Sequence, residues 1–261
     1  MVSPAVTSGN GVTENGITYF GSLADAMNAA VNGSAVTLLQ NHTLTEEIVI
    51  DGAKNITLTA AQDTTLKAKT GTRMFTVSGG ATLTVTSITL EGCGSQVAGK
   101  GGIVFTIDNA TVNLGTSVAD NNGPTIKDFE NSTRYGVEGE GNHGCAIDLL
   151  GTGKLNMYGG TIKNCKNAHT GYGSCGRAVF TESANASINI CGGSIIDCDA
   201  YCGAAIYGHG TITGNTIIEN HDAYRAGRDQ VQAKHGNLVI DGLEIVCNRE
   251  DMIQPPTNAV A

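Results

Sequence analysis

Four short segments of this chain are near-copies of one another, and an internal repeat restricts the possible folds more than any other property of a sequence. "GGIVF" (101–105), "GCAID" (144–148), "GRAVF" (176–180) and "GAAIY" (203–207) each set small residues before an aliphatic residue and then an aromatic or polar one. A second anchor recurs as "GGTIKNC" (159–165), "GGSIIDC" (192–198), "GNTIIEN" (214–220) and "GLEIVCN" (242–248). Ile147 and Val179 are 32 residues apart, and Val179 and Ile206 are 27 apart. Between the anchors lie "KLNMY" from 154, "SINIC" from 187, "TIT" from 211 and "NLVI" from 237. Their alternation of apolar and polar residues is the two-residue period of a half-buried strand.

A unit of about 25 to 30 residues with two or three short strands and glycine turns cannot bury its apolar side alone. Stacked on its neighbours it becomes one rung of a parallel β-helix, each strand hydrogen-bonded to the rungs above and below. "EIVIDGAKNITLTA" and "RMFTVSGGATLTVTSITLEG" read as earlier, less regular turns of the same coil. With 36 Gly, 4 Pro and no Trp, the composition also favours short strands and tight turns over a helical bundle. The expected fold is all-β, a parallel β-helix of about seven to eight rungs, roughly 35 to 40 Å long at about 4.8 Å per rung.

An open first rung invites aggregation unless it is covered. "SLADAMNAAV" (22–31) supplies a capping helix, because Leu23, Ala26, Met27, Ala30 and Val31 recur at helical spacing and Ser22 suits the N-cap. The expected organisation is a leader over 1–16, one β-helix domain over 17–250, and a polar, proline-bearing tail or linker over 251–261.

A formal charge of -9 repels a phosphate backbone, so nucleic acid is not an expected partner. No stretch approaches the roughly 20 apolar residues of a membrane span, and the first residues lack the basic and apolar regions of a signal peptide. Five N-x-[ST] sequons (Asn41, Asn55, Asn109, Asn131 and Asn185) read as by-products of an Asn- and Thr-rich chain. The eight cysteines show no zinc spacing, and no metal site is expected.

The cap helix followed by "AVTLLQNHTLTEEIVIDGAKNITLTA" resembles the entry of right-handed parallel β-helix proteins of the pectate-lyase-like superfamily. The G-x-A-[IV] anchor with "TIKNC", "SIIDC" and "TIIEN" is similar to the repeats of bacterial and archaeal surface adhesin-like proteins. The resemblance covers about 17–250. It implies a right-handed coil and a secreted or cell-surface module, part of a larger surface protein and monomeric by itself, whose partner is a glycan or a host or cell-surface protein. Because the superfamily also contains enzymes, it implies a second reading, a polysaccharide lyase or glycoside hydrolase, with Ca²⁺ as a cofactor only in the lyase case.

For catalysis the candidates are Asp197, Glu219, His209 and Arg225. Asp197 and Glu219 are expected to share a register with Asn164, which would set two carboxylates about 5 Å apart; the same residues equally suit the capping of turns. His209 in "YGHGTI" resembles the G-H-G element of polygalacturonases, but the other elements of that family are missing, and a glycine-flanked turn accounts for it as well. In the same alignment Ile206, Ile212 and Ile217 face inward.

Cysteines also fall into register: Cys175 with Cys202 in a turn, where a disulfide is within reach, and Cys165 with Cys198, which equally suit an inward stack of thiols. The repeats differ most just before each G-x-A-[IV] anchor, and insertions at one position of a stacked repeat emerge along one edge. Tyr135, His143, His169, Tyr172, Tyr201, His221, Tyr224 and Arg225 would share that edge as a ligand-binding surface.

Overall fold

The computed structural model describes residues 12–14, 17–93, 104–131, 146–167, 178–181, 183–200, 205–214, 216–219, 222–223, 231–241 and 244–246. They are mostly strand, with one helix. Apart from a hairpin that pairs Val12–Glu14 with Ile17–Tyr19, every strand pair among them is parallel.

The chain visits three faces in turn and comes back to each one rung later. Face one carries Ile48–Ile50, Phe75–Ser78, Phe105–Asp108, Ile147–Leu150, Val179–Thr181 and the first half of Ile206–Thr213. Face two carries Ser34–Leu38, Asn55–Ala60, Thr82–Val85, Thr111–Leu114, Lys154–Met157, Ser187–Ile190 and the second half of Ile206–Thr213. Face three is an eight-stranded sheet from His42–Thr43 to Glu244–Val246. The result is a solenoid-like stack of parallel strands, compatible with a parallel β-helix.

Alternation along each strand builds the interior. On face one Ile48, Phe75, Phe105, Ile147, Val179 and Ile206 stand in register and are buried, with Phe75 and Phe105 stacked at 5.4 Å. Face two contributes Ile56, Leu83, Val112, Leu155 and Ile188, and face three Leu66, Leu90, Ile126, Ile162, Ile195 and Ile218, all buried. Burying a side chain of this size contributes roughly 1.5–3 kcal/mol, and the repeat supplies several per rung.

The helix spans Leu23–Ala29 and packs on Ser34–Leu38 and Ile48–Ile50, the first strands of faces two and one. Ser22 Oγ accepts from the Asp25 N–H at 3.1 Å and donates to Asp25 Oδ2 at 2.8 Å, so the cap is reciprocal. Leu23 and Met27 are buried, but the helix ends before Val31, which is 70% exposed rather than part of the apolar stripe. Ala30 is already extended, which turns the chain into the first strand.

Two polar ladders run along the outside. On face three Glu91 lies between Lys67 at 3.1 Å and Lys127 at 2.9 Å, residues that share one register column. The hydrogen bond from Lys127, then that from Lys67, holds the Glu91 carboxyl below its ordinary range, and Glu91 holds the Lys127 ammonium above its own. The depressed carboxyl stabilises the fold above its unfolded value of about 4.3, and this is lost as pH falls through the folded value. The raised lysine stabilises below about 10.4 and ceases to as pH rises through its folded value. The groups are partly solvated, so Glu91→Gln is expected to cost under about 1 kcal/mol at pH 7 in low salt. Thermal melts should show that difference vanish in about 1 M salt and at acid pH.

On face two the amides of Asn113, Asn156 and Asn189 form a chain. Asn189 donates to Asn156 at 3.0 Å, Asn156 to Asn113 at 2.9 Å, and Asn113 to the Thr84 hydroxyl at 3.1 Å. The side chains are half-buried, so each bond is shielded without being dry. Asn156→Ala removes two of them at once and should cost about 1–3 kcal/mol in urea unfolding, against about half that for Asn189→Ala.

Candidate functional site

Strands of face one place their intervening residues on the outside: Val49, Thr76, Thr106, Asp148, Phe180 and Tyr207 form one register column. An outward column on a β-solenoid is ordinarily solvated. Here Val49 is 54% exposed and Thr76 half-buried, yet Thr106, Asp148, Phe180 and Tyr207 are all buried. From Thr106 onward face one is therefore covered on both sides. In the sequence, the variable segments before each G-x-A-[IV] anchor lead directly into these strands.

This step from open to covered face is the candidate site. Asp148 is the one fully buried carboxylate among the described residues, and it stands in register with Thr106. The Thr106 hydroxyl and the Arg73 Nε are buried without a hydrogen-bond partner among the described residues. Phe180 and Tyr207 stack at 5.4 Å and 14°, extending the column as an aromatic pair.

The open side is lined with engaged carboxylates. Glu47 accepts from the Thr76 hydroxyl, Asp51 accepts from Ser78 at 2.9 Å, and Asp108 accepts from the Asn109 amide at 2.8 Å.

Of the residues expected to be catalytic, Asp197 and Glu219 lie on neighbouring rungs, the Asp197 N–H donating to the Glu219 carbonyl at 3.2 Å, and Arg225 lies outside the described residues. Asp197 sits at an exposed corner with φ 54, one of a column of left-handed corners with Asp128 (φ 61) and Asn164 (φ 52). There the Asn164 amide donates to Asp128 at 2.5 Å. Glu219 does not share that register, for it opposes Ile196. The reason is packing: the isoleucine that must stack on Ile195 is Ile218, fully buried, while Ile217 is 43% exposed and does not face inward. The alignment of "GGSIIDC" with "GNTIIEN" is thus displaced by one residue, which moves Glu219 out of line with Asp197.

His209 is not in a turn. It lies within the continuous strand Ile206–Thr213, at a register shift between Gly208 and Gly210 where the strand passes from face one to face two, and it is half-buried.

Cys165 and Cys198 are in register and buried. Arg225, Tyr135, His143, His169, Tyr172, Tyr201, His221 and Tyr224 lie outside the described residues, as do Cys175 and Cys202.

Asp148, Thr106, Phe180 and Tyr207 are the residues that sequence reasoning passed over. For Asp148, Phe180 and Tyr207 the signal was present in the last letter of "GCAID", "GRAVF" and "GAAIY": alternation sends that position outward, where two successive aromatics are unusual. No group of three or more His, Cys, Asp or Glu side chains suited to a metal occurs among the described residues. No protein-family model matches the chain, and no curated protein or solved structure is detectably similar to it.

Proposed function

We propose that this chain is a right-handed parallel β-helix module of about seven to eight rungs, akin to the pectate-lyase-like superfamily, that acts at the cell surface or outside the cell as a non-catalytic binder. Its ligand is a glycan, or a protein of a host or cell surface, held where the open part of face one meets the covered part. The observation that carries this reading is the change of burial along a single outward column, from Val49 at 54% exposed to Asp148 at 0%. A plain structural rod has no reason to bury that column in its later rungs, whereas a ledge with a wall gives a ligand two surfaces to rest on.

The catalytic reading keeps one specific support. A polysaccharide-degrading enzyme would draw on Asp197 and Glu219, which lie on neighbouring rungs with the Asp197 N–H donating to the Glu219 carbonyl at 3.2 Å.

A glycan array probed with the wild-type chain, and with Tyr172→Ala, Tyr201→Ala and Thr76→Ala, tests the proposal. Binding by the wild type that falls about tenfold or more in these variants is expected for loss of an aromatic or polar contact in a shared surface. Binding that none of them alters would remove the insert edge and the ledge from consideration. Turnover of a glycan by the wild type that Asp197→Asn lacks would replace the binder by the enzyme.

A further inference from the structure

Eight cysteines in a chain of 261 residues ask for a role, and two of them are placed by the repeat itself. Lys163 pairs with Ile196, the Asn164 N–H donates to the Ile196 carbonyl, and the Asp199 N–H donates to the Cys165 carbonyl. Cys165 therefore opposes Cys198 on the neighbouring rung, at the rung spacing of about 4.8 Å, within the roughly 4.4–6.8 Å between Cα atoms that a disulfide spans. Both side chains are buried completely. Each thiol donates to the carbonyl two residues back, Cys165 to Lys163 at 3.5 Å and Cys198 to Ile196 at 3.3 Å, so the two side chains run parallel and have to exchange these weak bonds for a rotation toward each other to close a bridge.

Two observations among the described residues bear on which cysteines pair. On its other side Cys165 has Phe129, whose carbonyl accepts from Lys166 at 2.9 Å, so an aromatic ring rather than a thiol occupies the preceding rung. Cys191 belongs to a different corner, with its N–H donating to Met157.

We propose that Cys165 and Cys198 are a cross-rung disulfide site, closed by exchange with a small-molecule disulfide while the chain folds. One thiolate attacks the incoming disulfide, forming a mixed disulfide and releasing one thiol. The second thiolate then attacks the protein sulfur of that mixed disulfide, forming the Cys165–Cys198 bond and releasing the other thiol. Two protein thiols are oxidised, one external disulfide is reduced to two thiols, and the two protons pass to the released thiolates. Complete burial shields the finished bond from reduction in the folded state.

The bridge has a place in the proposed function as well. Residues 166–175 and 199–202, the variable segments with His169, Tyr172 and Tyr201, begin directly after the two cysteines. Lys166 and Asp199 at their roots already form an ion pair at 3.6 Å. A covalent link one residue earlier fixes the spacing of the two roots, which rests on the binding reading for its consequence but not for its existence.

The test is to refold the reduced wild-type chain with oxidised glutathione, alkylate it in denaturant, and map the peptides. The expected product is the Cys165 peptide linked to the Cys198 peptide, about 2 Da lighter than the two thiol peptides together, and cleaved by dithiothreitol. Its thermal midpoint should fall by about 5 °C or more on reduction. Alkylation of both residues, or a bond from either to another cysteine, overturns the proposal. In Cys198→Ser, Cys165 should be recovered alkylated or as its mixed disulfide with glutathione, and a bond from Cys165 to another cysteine of the chain overturns it too. The wild-type map needs no variant to fold. A linked map alongside a negative glycan array sustains the bridge and counts only against the binder.

Discussion

Gly193→Ala is expected to destabilise the fold by about 3–5 kcal/mol, near the upper end for a single substitution. Gly193 has φ 89, and a Cβ there would stand 2.6 Å from the Gly160 carbonyl oxygen, 2.8 Å from Met157 Cε and 2.9 Å from the Gly159 carbonyl carbon. Two of those three neighbours are backbone of the rung beneath, which cannot rotate away. The left-handed conformation itself accounts for about 1–2 kcal/mol, and the collision for the rest. Gly33 separates the two contributions: its φ is 87, but nothing lies within 4 Å of its would-be Cβ. Gly33→Ala should cost only the conformational part, about 1–2 kcal/mol. Urea unfolding followed by circular dichroism measures both, and equal costs would show that rung-to-rung contact contributes nothing at this corner.

Phe105→Ala is the second large effect, expected at about 3–5 kcal/mol by the same measurement. Phe105 is fully buried, stacked on Phe75 at 5.4 Å and 21°, and in register with Ile147 on the other side. Truncation leaves a void that a stacked ladder cannot close, because each rung is held at its spacing by hydrogen bonds from both neighbours. A double-mutant cycle with Phe75→Ala should return a coupling of about 0.5–1.5 kcal/mol for the ring pair. Additive losses would mean that the two rings contribute only by burial.

The inward columns were legible because a period of two leaves little choice: Ile147, Val179 and Ile206 had to align, and they do. The pairing of Cys165 with Cys198 followed from the same rule. Register was misread where the rule has a competitor. "TIIE" carries two adjacent isoleucines, and only packing against Ile195 selects Ile218 over Ile217. The covered half of face one was not legible at all. Alternation says that Asp148, Phe180 and Tyr207 point outward, but not what lies over them, since that depends on contacts between distant segments of irregular sequence. His209 was misplaced for a related reason: two flanking glycines suggest a turn, yet here they let one strand change faces without breaking. Gly210 in particular has φ 145 and sits where a side chain would meet the Ile188 backbone.

The chain of amides on face two has a direction. Asn189, Asn156 and Asn113 all donate toward the N-terminal end of the stack, Asn156 and Asn113 accept from the C-terminal side, and Thr84 closes the chain as an acceptor. Deamidation, which turns an asparagine into an aspartate, is thereby tolerated unevenly. At Asn113 the new carboxylate still accepts from Asn156, and the Thr84 hydroxyl can rotate to donate to it. At Asn156 or Asn189 the new carboxylate can only accept, so each amide on its N-terminal side must flip to donate toward it, and the Thr84 hydroxyl must turn to donate as well. Chemical ageing of this surface turns one hydroxyl at one end of the row and reverses a longer run of bonds the further along it falls.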